Sequence, residues 1–335
     1  MQAAIYGIEG FSLTDGERAF FRDAEPAGFI LFRRNCENQD QLLSLTDSLR
    51  ALCARDDVPI LIDQEGGRVA RMRPPEWPAF PAAEKFATLY RLAPSSAIEA
   101  VRANARALAL MLRSAGINVN ALPLLDVRQE GASDIIGDRA LGSEPMQVAA
   151  LGRAVLDGMA SAGVVGIVKH MPGHGRALVD SHKELPVVSA SAAELESDLE
   201  PFERLASAPM GMTAHVVYTV WDGERPASLS SIVIRDIIRE RIGFDGWLMS
   251  DDLGMEALKG DFGTRAAGVI SAGCDVALHC SGKMDEMVAV AKAVSAMSTE
   301  GHDRLARAMA AIRIDLDRLD FAEEIAKRDQ LLALA

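Results

Sequence analysis

Short apolar runs alternate along the chain with longer stretches in which apolar residues recur at helical spacing. Eight runs read as strands: AAIYGI from Ala3, GFILFRR from Gly28, VPILIDQE from Val58, NVNALPLLD from Asn118, VGIVKHMP from Val165, GMTAHVVY from Gly211, GWLMSDD from Gly246 and CDVALHC from Cys274. Each is rich in Val, Ile or Leu with little polar alternation, the pattern of parallel strands covered on both faces. The segments between them read as helices. One runs from about Gln39 to Arg55; another, Ala97 to Ala115, sets Arg102, Arg106 and Arg113 on its polar side. Others begin at Pro145 and at Ala192, and Ile232 to Arg241 belongs to a fifth. Gly116, Gly163, Gly243 and Gly273 stand where helices end and the next strand begins.

Eight strand–helix alternations with no long linker predict an α/β protein, a single (β/α)8 TIM barrel over residues 1–335. A terminal helix and tail follow from about residue 301. A prior of about 150 residues per domain suggests two domains, but such barrels run to about 250 residues or more as one unit. An open doubly wound sheet is the rival. Against it, no GxGxxG follows the first run, where a dinucleotide fold places its phosphate loop. The chain carries no internal repeat and no low-complexity tract.

Apolar residues make up 49% and charged residues 25%, enough for a large core. The net charge of −13, the absence of a basic patch and a 5% aromatic content argue against nucleic acid. Cys36, Cys53, Cys274 and Cys280 form no CxxC pair and read as reduced thiols. No basic segment followed by a long apolar stretch opens the chain, and no run of about 18 apolar residues could span a membrane. The expectation is a cytoplasmic protein without a membrane partner, and nothing in the sequence demands more than a monomer.

In such barrels the reactive groups gather at the C-terminal ends of the strands. The third run delivers Asp63, followed by Arg68 and Arg71; the fourth delivers Asp126, with Asp138 and Arg139 in the loop beyond. The fifth brings Lys169 and His170, then MPGHGRALVDSH with His174, Asp180 and His182. His215, Asp251 with Asp252, and His279 come from the last three. Metal hydrolysis would use these histidines, but Pro172 and Gly173 keep His170 and His174 off one helical face, and no HxH or HExxH occurs. Serine acyl transfer lacks a GxSxG elbow. Glycoside cleavage needs a carboxylate on one side of the sugar and a proton donor on the other. Asp251 suits the first role. His182, with Asp180 two residues away to orient and charge it, suits the second. On its own, a DSH triplet is more often a plain surface loop.

IDQEGGRVARM, KHMPGHGRALVDSHKELPVV, AHVVYTVWDGERPASLS and GWLMSDDLGMEAL together resemble glycoside hydrolase family 3. More narrowly, they resemble its single-domain β-N-acetylglucosaminidases of bacterial peptidoglycan recycling. The similarity runs from about residue 5 to about residue 290, with Met171 replacing the usual phenylalanine or isoleucine. The resemblance implies Asp251 as nucleophile, His182 as general acid/base and Asp180 as its partner. It implies that Asp63, Arg71, Arg139, Lys169 and His170 grip the terminal sugar, and that the substrate is a small carbohydrate, a muropeptide fragment. Arg68 and Asp252 read as structural supports, Asp126 and His215 as residues behind the site. A phosphorylase on the same scaffold and a non-catalytic sugar-binding barrel are the alternatives; the second would lack the nucleophile or the dyad.

Neither cofactor nor metal is expected. Prolonged EDTA treatment is therefore expected to leave hydrolytic activity unchanged, and a loss restored by zinc would bring back the metallohydrolase reading.

Overall fold

Apolar runs with no polar face are stable as strands only when both sides are covered. They lie so in the computed structural model, which describes residues 1–55, 57–311 and 319–335. The strands β1 (Gln2–Gly7), β2 (Pro26–Leu31), β3 (Ile60–Ile62), β4 (Val119–Asn120), β5 (Val165–Met171), β7 (Met210–Thr213), β10 (Trp247–Asp252) and β11 (Val276–His279) close into a parallel barrel, with β11 pairing back onto β1. The remaining strands, β6 (Val187–Val188), β8 (Val217–Tyr218) and β9 (Asp222–Pro226), form a small separate sheet. The expected TIM barrel is thus the observed one.

Two runs depart from expectation. The sixth is split: Met210–Thr213 pairs within the barrel, whereas Val217–Tyr218 turns outward to pair with β6 and β9. The fourth pairs as a ladder only at Val119 and Asn120, because Pro123 has no amide to donate; beyond it a single bridge joins Leu124 to Lys169.

The surrounding helices are α1 (Asp15–Ala24), α2 (Gln39–Cys53), α3 (Ala83–Leu92), α4 (Pro94–Ser114), α5 (Pro145–Ser161), α6 (Ala192–Arg204), α7 (Phe262–Ala272), α8 (Met284–Ala293), α9 (Thr299–Ala310) and α10 (Phe321–Leu332). Local chemistry sets their starts. Thr14 with Glu17 and Ser191 with Glu194 form capping boxes, and Asn38 caps α2. The helix expected from Ala97 begins earlier because Pro94 is preorganised for a first turn, as Pro145 is for α5. The fifth expected helix winds as a π-helix over Val233–Arg241. At its end Arg239 donates to the carbonyls of Phe244 and Gly246 and pairs with Asp275 at 2.9 Å.

The terminal segment expected from about residue 301 forms α9 and α10; residues 312–318 lie outside the described residues. α10 lies against α4, where Arg106 meets Glu324 at 3.4 Å and Arg328 donates to Asn104 at 3.3 Å. Among the described residues no helix is long and apolar enough to cross a membrane.

Candidate active site

The ends of β3, β5 and β10 and the loops after β3, β4 and β5 enclose a cavity of about 250 Å³. Asp63, Arg71, Arg139, Lys169, His170, His182 and Asp251, all singled out from the sequence, line it together. Asp180 is held just behind, bonded to His182.

One wall is a chain of alternating charges. Arg71 meets Asp63 at 3.0 Å, Asp63 meets Lys169 at 3.2 Å, and Lys169 meets Glu65 at 2.8 Å. Glu65 then takes two parallel bonds of 2.8 Å from Arg139, a fork-to-fork pair. Burial pushes both carboxyls up, but the facing cations outweigh it: Lys169 and Arg71 hold Asp63 well below the usual carboxylate range, and Lys169 and Arg139 lower Glu65. Glu65 was not singled out from the sequence. Its signal was spacing, since on an extended chain residue i+2 points to the same side as residue i, and Asp63 had already been placed at the strand end. Lys169 and His170 are consecutive yet share the cavity, and the β5–β7 register shifts between Val168 and Met171, as at a bulge that re-aims side chains.

Asp126 lies behind the wall, fully buried. It accepts the backbone amides of His170 (3.1 Å) and His174 (2.7 Å) and meets His170 Nδ1 at 2.8 Å, which turns His170 Nε2 toward the cavity. Burial would raise its carboxyl; His170, then His174, bring it down to about 2. His215 is also behind the site, its ring spanning Ser228 Oγ (2.7 Å) and the Asp252 carbonyl (3.0 Å). Asp252 accepts the amides of Gly254 and Cys280, and Arg68 pairs with Asp138 at 2.7 Å and donates to the carbonyls of Ile135 and Ile136, so both tie backbone together at the rim.

Asp251 stands at the end of β10, its carboxylate taking the Asp252 amide at 2.8 Å. Burial opposes its ionisation, but His170, His215, that amide and His182 lower it below the ordinary range, leaving an anion facing the cavity. The opposite lip is the loop between β5 and β6. There His182, 61% exposed, has Nδ1 2.9 Å from Asp180. Burial raises Asp180, but its bonds from the amide and ring of His182, with the charges of His182 and Lys183, together hold it below its usual value. The start of that loop is tight: a Cβ on Gly175 would sit 1.9 Å from the Val127 carbonyl oxygen. Arg176 fastens it to α6 through Asp198 at 2.7 Å. Among the described residues, no group of three or more His, Cys, Asp or Glu is placed to hold a metal ion. What the arrangement offers is an anionic carboxylate across a cavity from a carboxylate-oriented imidazole.

Residues 8–313 match the glycosyl hydrolase family 3 N-terminal domain. The chain belongs to glycosyl hydrolase family 3. This family 3 chain is 37% identical over 279 residues to a beta-hexosaminidase of Bordetella avium, covering 82% of this chain and 79% of that one. It is 39% identical over 282 residues to a beta-hexosaminidase of Alkalilimnicola ehrlichii, covering 83% and 80%. NagZ of Neisseria gonorrhoeae, solved in complex with N-trifluoroacetyl-D-glucosamine, matches with a TM-score of 0.87 at 32% identity, covering 100% of this chain and 98% of that one. The chain is a glycoside hydrolase.

The site's ionisation fixes how this family 3 fold responds to acid. Burial, then His170, lowers His174 from 6.5 to about 4, and burial also lowers His215 and His279. As pH falls from about 6.5 to about 4, unfolded histidines bind protons that folded His174 does not, so stability is lost; below that its contribution is level. Below about 4 the depressed Asp63, Glu65, Asp126 and Asp251 take over, because the unfolded carboxyls protonate first. Stability measured from about pH 7 to about pH 3 is expected to fall through both windows. His174→Gln is expected to flatten the upper one by up to about 3 kcal/mol. A wild-type stability level between pH 6.5 and pH 4 would mean that His174 takes its proton inside the fold.

Proposed function

We propose that the chain is a retaining exo-β-N-acetylglucosaminidase. In this reading it removes terminal N-acetylglucosamine from muropeptide fragments (GlcNAc-1,6-anhydro-MurNAc peptides) through a covalent glycosyl-Asp251 intermediate. One observation carries it: an ionised carboxylate on a rigid strand end faces a loop-borne His–Asp dyad across the cavity. The relatives named beta-hexosaminidase and the N-trifluoroacetyl-D-glucosamine held by the gonococcal NagZ supply the sugar. At about 250 Å³ the cavity falls below the roughly 300–1,000 Å³ common for small-molecule clefts, which suits one terminal ring rather than an internal stretch of glycan.

In the first step Asp251 attacks the anomeric carbon through an oxocarbenium-like transition state while protonated His182 donates to the leaving oxygen. The C–O bond to the leaving group breaks as the bond to Asp251 forms, and His182 is left neutral. In the second step neutral His182 takes a proton from water, whose oxygen displaces Asp251; two inversions give retention. Asp180 holds the imidazole by Nδ1 and directs Nε2 to the reacting oxygen. The alternating wall gives hydroxyl groups both acceptors (Asp63) and donors (Arg71, Arg139, Lys169, His170) in fixed positions, which is how positioning lowers the barrier. The four free cysteines accord with the reducing cytoplasm in which we place the enzyme.

Asp251→Asn is expected to fold normally and to form no covalent intermediate. A fluorinated-sugar trap followed by peptide mass analysis checks this, and label on Asp252 or His182 in the wild-type protein would overturn the assignment. Product analysis with and without phosphate belongs to the same experiment, because a sugar phosphate product would make the enzyme a phosphorylase.

For the acid/base, His182→Ala is expected to lose about 10²–10⁴-fold with a natural sugar leaving group and much less with an activated aryl group, which needs little protonation. With the activated substrate the glycosyl-enzyme accumulates, so KM falls together with kcat. Asp180→Ala is expected to show a weaker form of the same pattern. Equal losses across leaving groups of varied pKa would remove His182 from the role.

A further inference from the structure

In the tip of the loop carrying the dyad, residues 178–184, only one residue is buried. Leu178, His182, Lys183 and Glu184 are exposed, whereas Ser181, between the two dyad residues, is buried. Its hydroxyl lies 3.1 Å from His174 Nε2. Among the described residues this is the one side-chain hydrogen bond between residues 177–185 and the rest of the fold; the Asp180–His182 bonds are internal to the segment. The Ser181 carbonyl also accepts the Ala257 amide, at a longer 3.3 Å.

His174 is a firm point to fasten to. Its amide is held by Asp126 at 2.7 Å, and its ring packs edge-on against His170 with centroids 5.7 Å apart. Its next neighbour, Gly175, is wedged against Val127. The ring's Nδ1 is buried without a partner. A proton on Nε2, donated to Ser181 Oγ, leaves only a lone pair unmet at Nδ1; the other tautomer would bury an unmet N–H, the rarer and costlier arrangement.

We propose that the His174–Ser181 hydrogen bond is the latch that seats the acid/base loop, making His174 and Ser181 positioning residues for His182. The proposal rests on the assignment of His182 and Asp180 as the acid/base pair. Ser181 is covalently joined to both, so a shift of its side chain carries the imidazole with it, and a misplacement of about 1 Å can cost about 10²-fold. A single neutral hydrogen bond is weak enough to break and remake in each cycle, so the lip can lift for substrate and close on it.

The test is a double-mutant cycle on Ser181→Ala and His174→Ala, read as kcat/KM for aryl N-acetylglucosaminides of varied leaving-group pKa, with His174→Gln as the conservative variant and His182→Ala as reference. Each single change is expected to lower kcat/KM about tenfold or more with poor leaving groups and less with activated ones, the pattern of lost protonation. The double variant should lose no more than the worse single one, since both remove one interaction. His174→Gln, whose amide can still donate to Ser181, should recover most of the loss. The latch is overturned by losses that multiply, by losses equal across leaving groups, or by a glutamine no better than alanine. The two readings fail separately. If His182→Ala shows no leaving-group dependence, the acid/base assignment falls; if it keeps that dependence while the cycle multiplies, the latch alone falls.

Discussion

A buried ammonium sits at the centre of the site. Lys169 is 3% exposed and lies between two carboxylates, Asp63 and Glu65, that are themselves largely hidden. Taking a charge out of water costs several kcal/mol, and the cost is offset only where partners are close and well directed; removing one of them would cost about 3–5 kcal/mol. The geometry around Lys169 therefore has little freedom. Through Asp63 it fixes Arg71, through Glu65 it fixes Arg139, and so the ends of β3 and β5 and two separate loops are tied to one nitrogen. Well-packed apolar residues would hold the barrel as well or better. What the ion chain adds is a wall of fixed donors and acceptors, which a sugar ring needs and an apolar wall cannot offer.

Against that fixed wall the chemistry is divided by rigidity. The carboxylate is on a strand end, where its position is set by the barrel. The imidazole is on a loop and exposed. The environment also sorts the histidines. Burial keeps His174 and His215 neutral, while His182 lies largely in water beside an ionised Asp180. In the proposed reaction one residue type would serve as fastener, support and acid, and what separates the roles is solvent and the nearest carboxylate.

Much of this was legible in the sequence. The eight apolar runs carried the barrel because parallel strands covered on both sides have no other composition available to them. The strand ends carried the site because polar residues are otherwise scarce in such runs. Glu65 was harder to see: in the sequence it is one more acid in a polar turn, and only the arrival of Lys169 and Arg139 from distant parts of the chain gives it a function. The split of GMTAHVVY was hidden for a related reason. Val217 and Tyr218 continue the apolar pattern, and only the presence of β6 and β9 tells that they pair outside the barrel. No role for His174 was legible in its motif because its partner Ser181 lies seven residues on, across a loop whose path no local rule dictates.

Asp126 joins the wall to the loop without lining the cavity. An ionised carboxylate can accept about four hydrogen bonds, and Asp126 uses three of them on two residues: the amide and ring of His170, and the amide of His174. His170 faces the sugar side, and His174 holds Ser181. A movement of either backbone amide would weaken a bond to the same carboxylate, so the proposed sugar-binding position and the proposed seat of the acid are set from one group. The depressed ionisation of Asp126, at about 2, is what that demands, because a protonated carboxyl would accept fewer bonds and release one side or the other. Its full burial, costly for a lone charge, excludes the water that would compete for those lone pairs, so the two halves of the site are referenced to a common point.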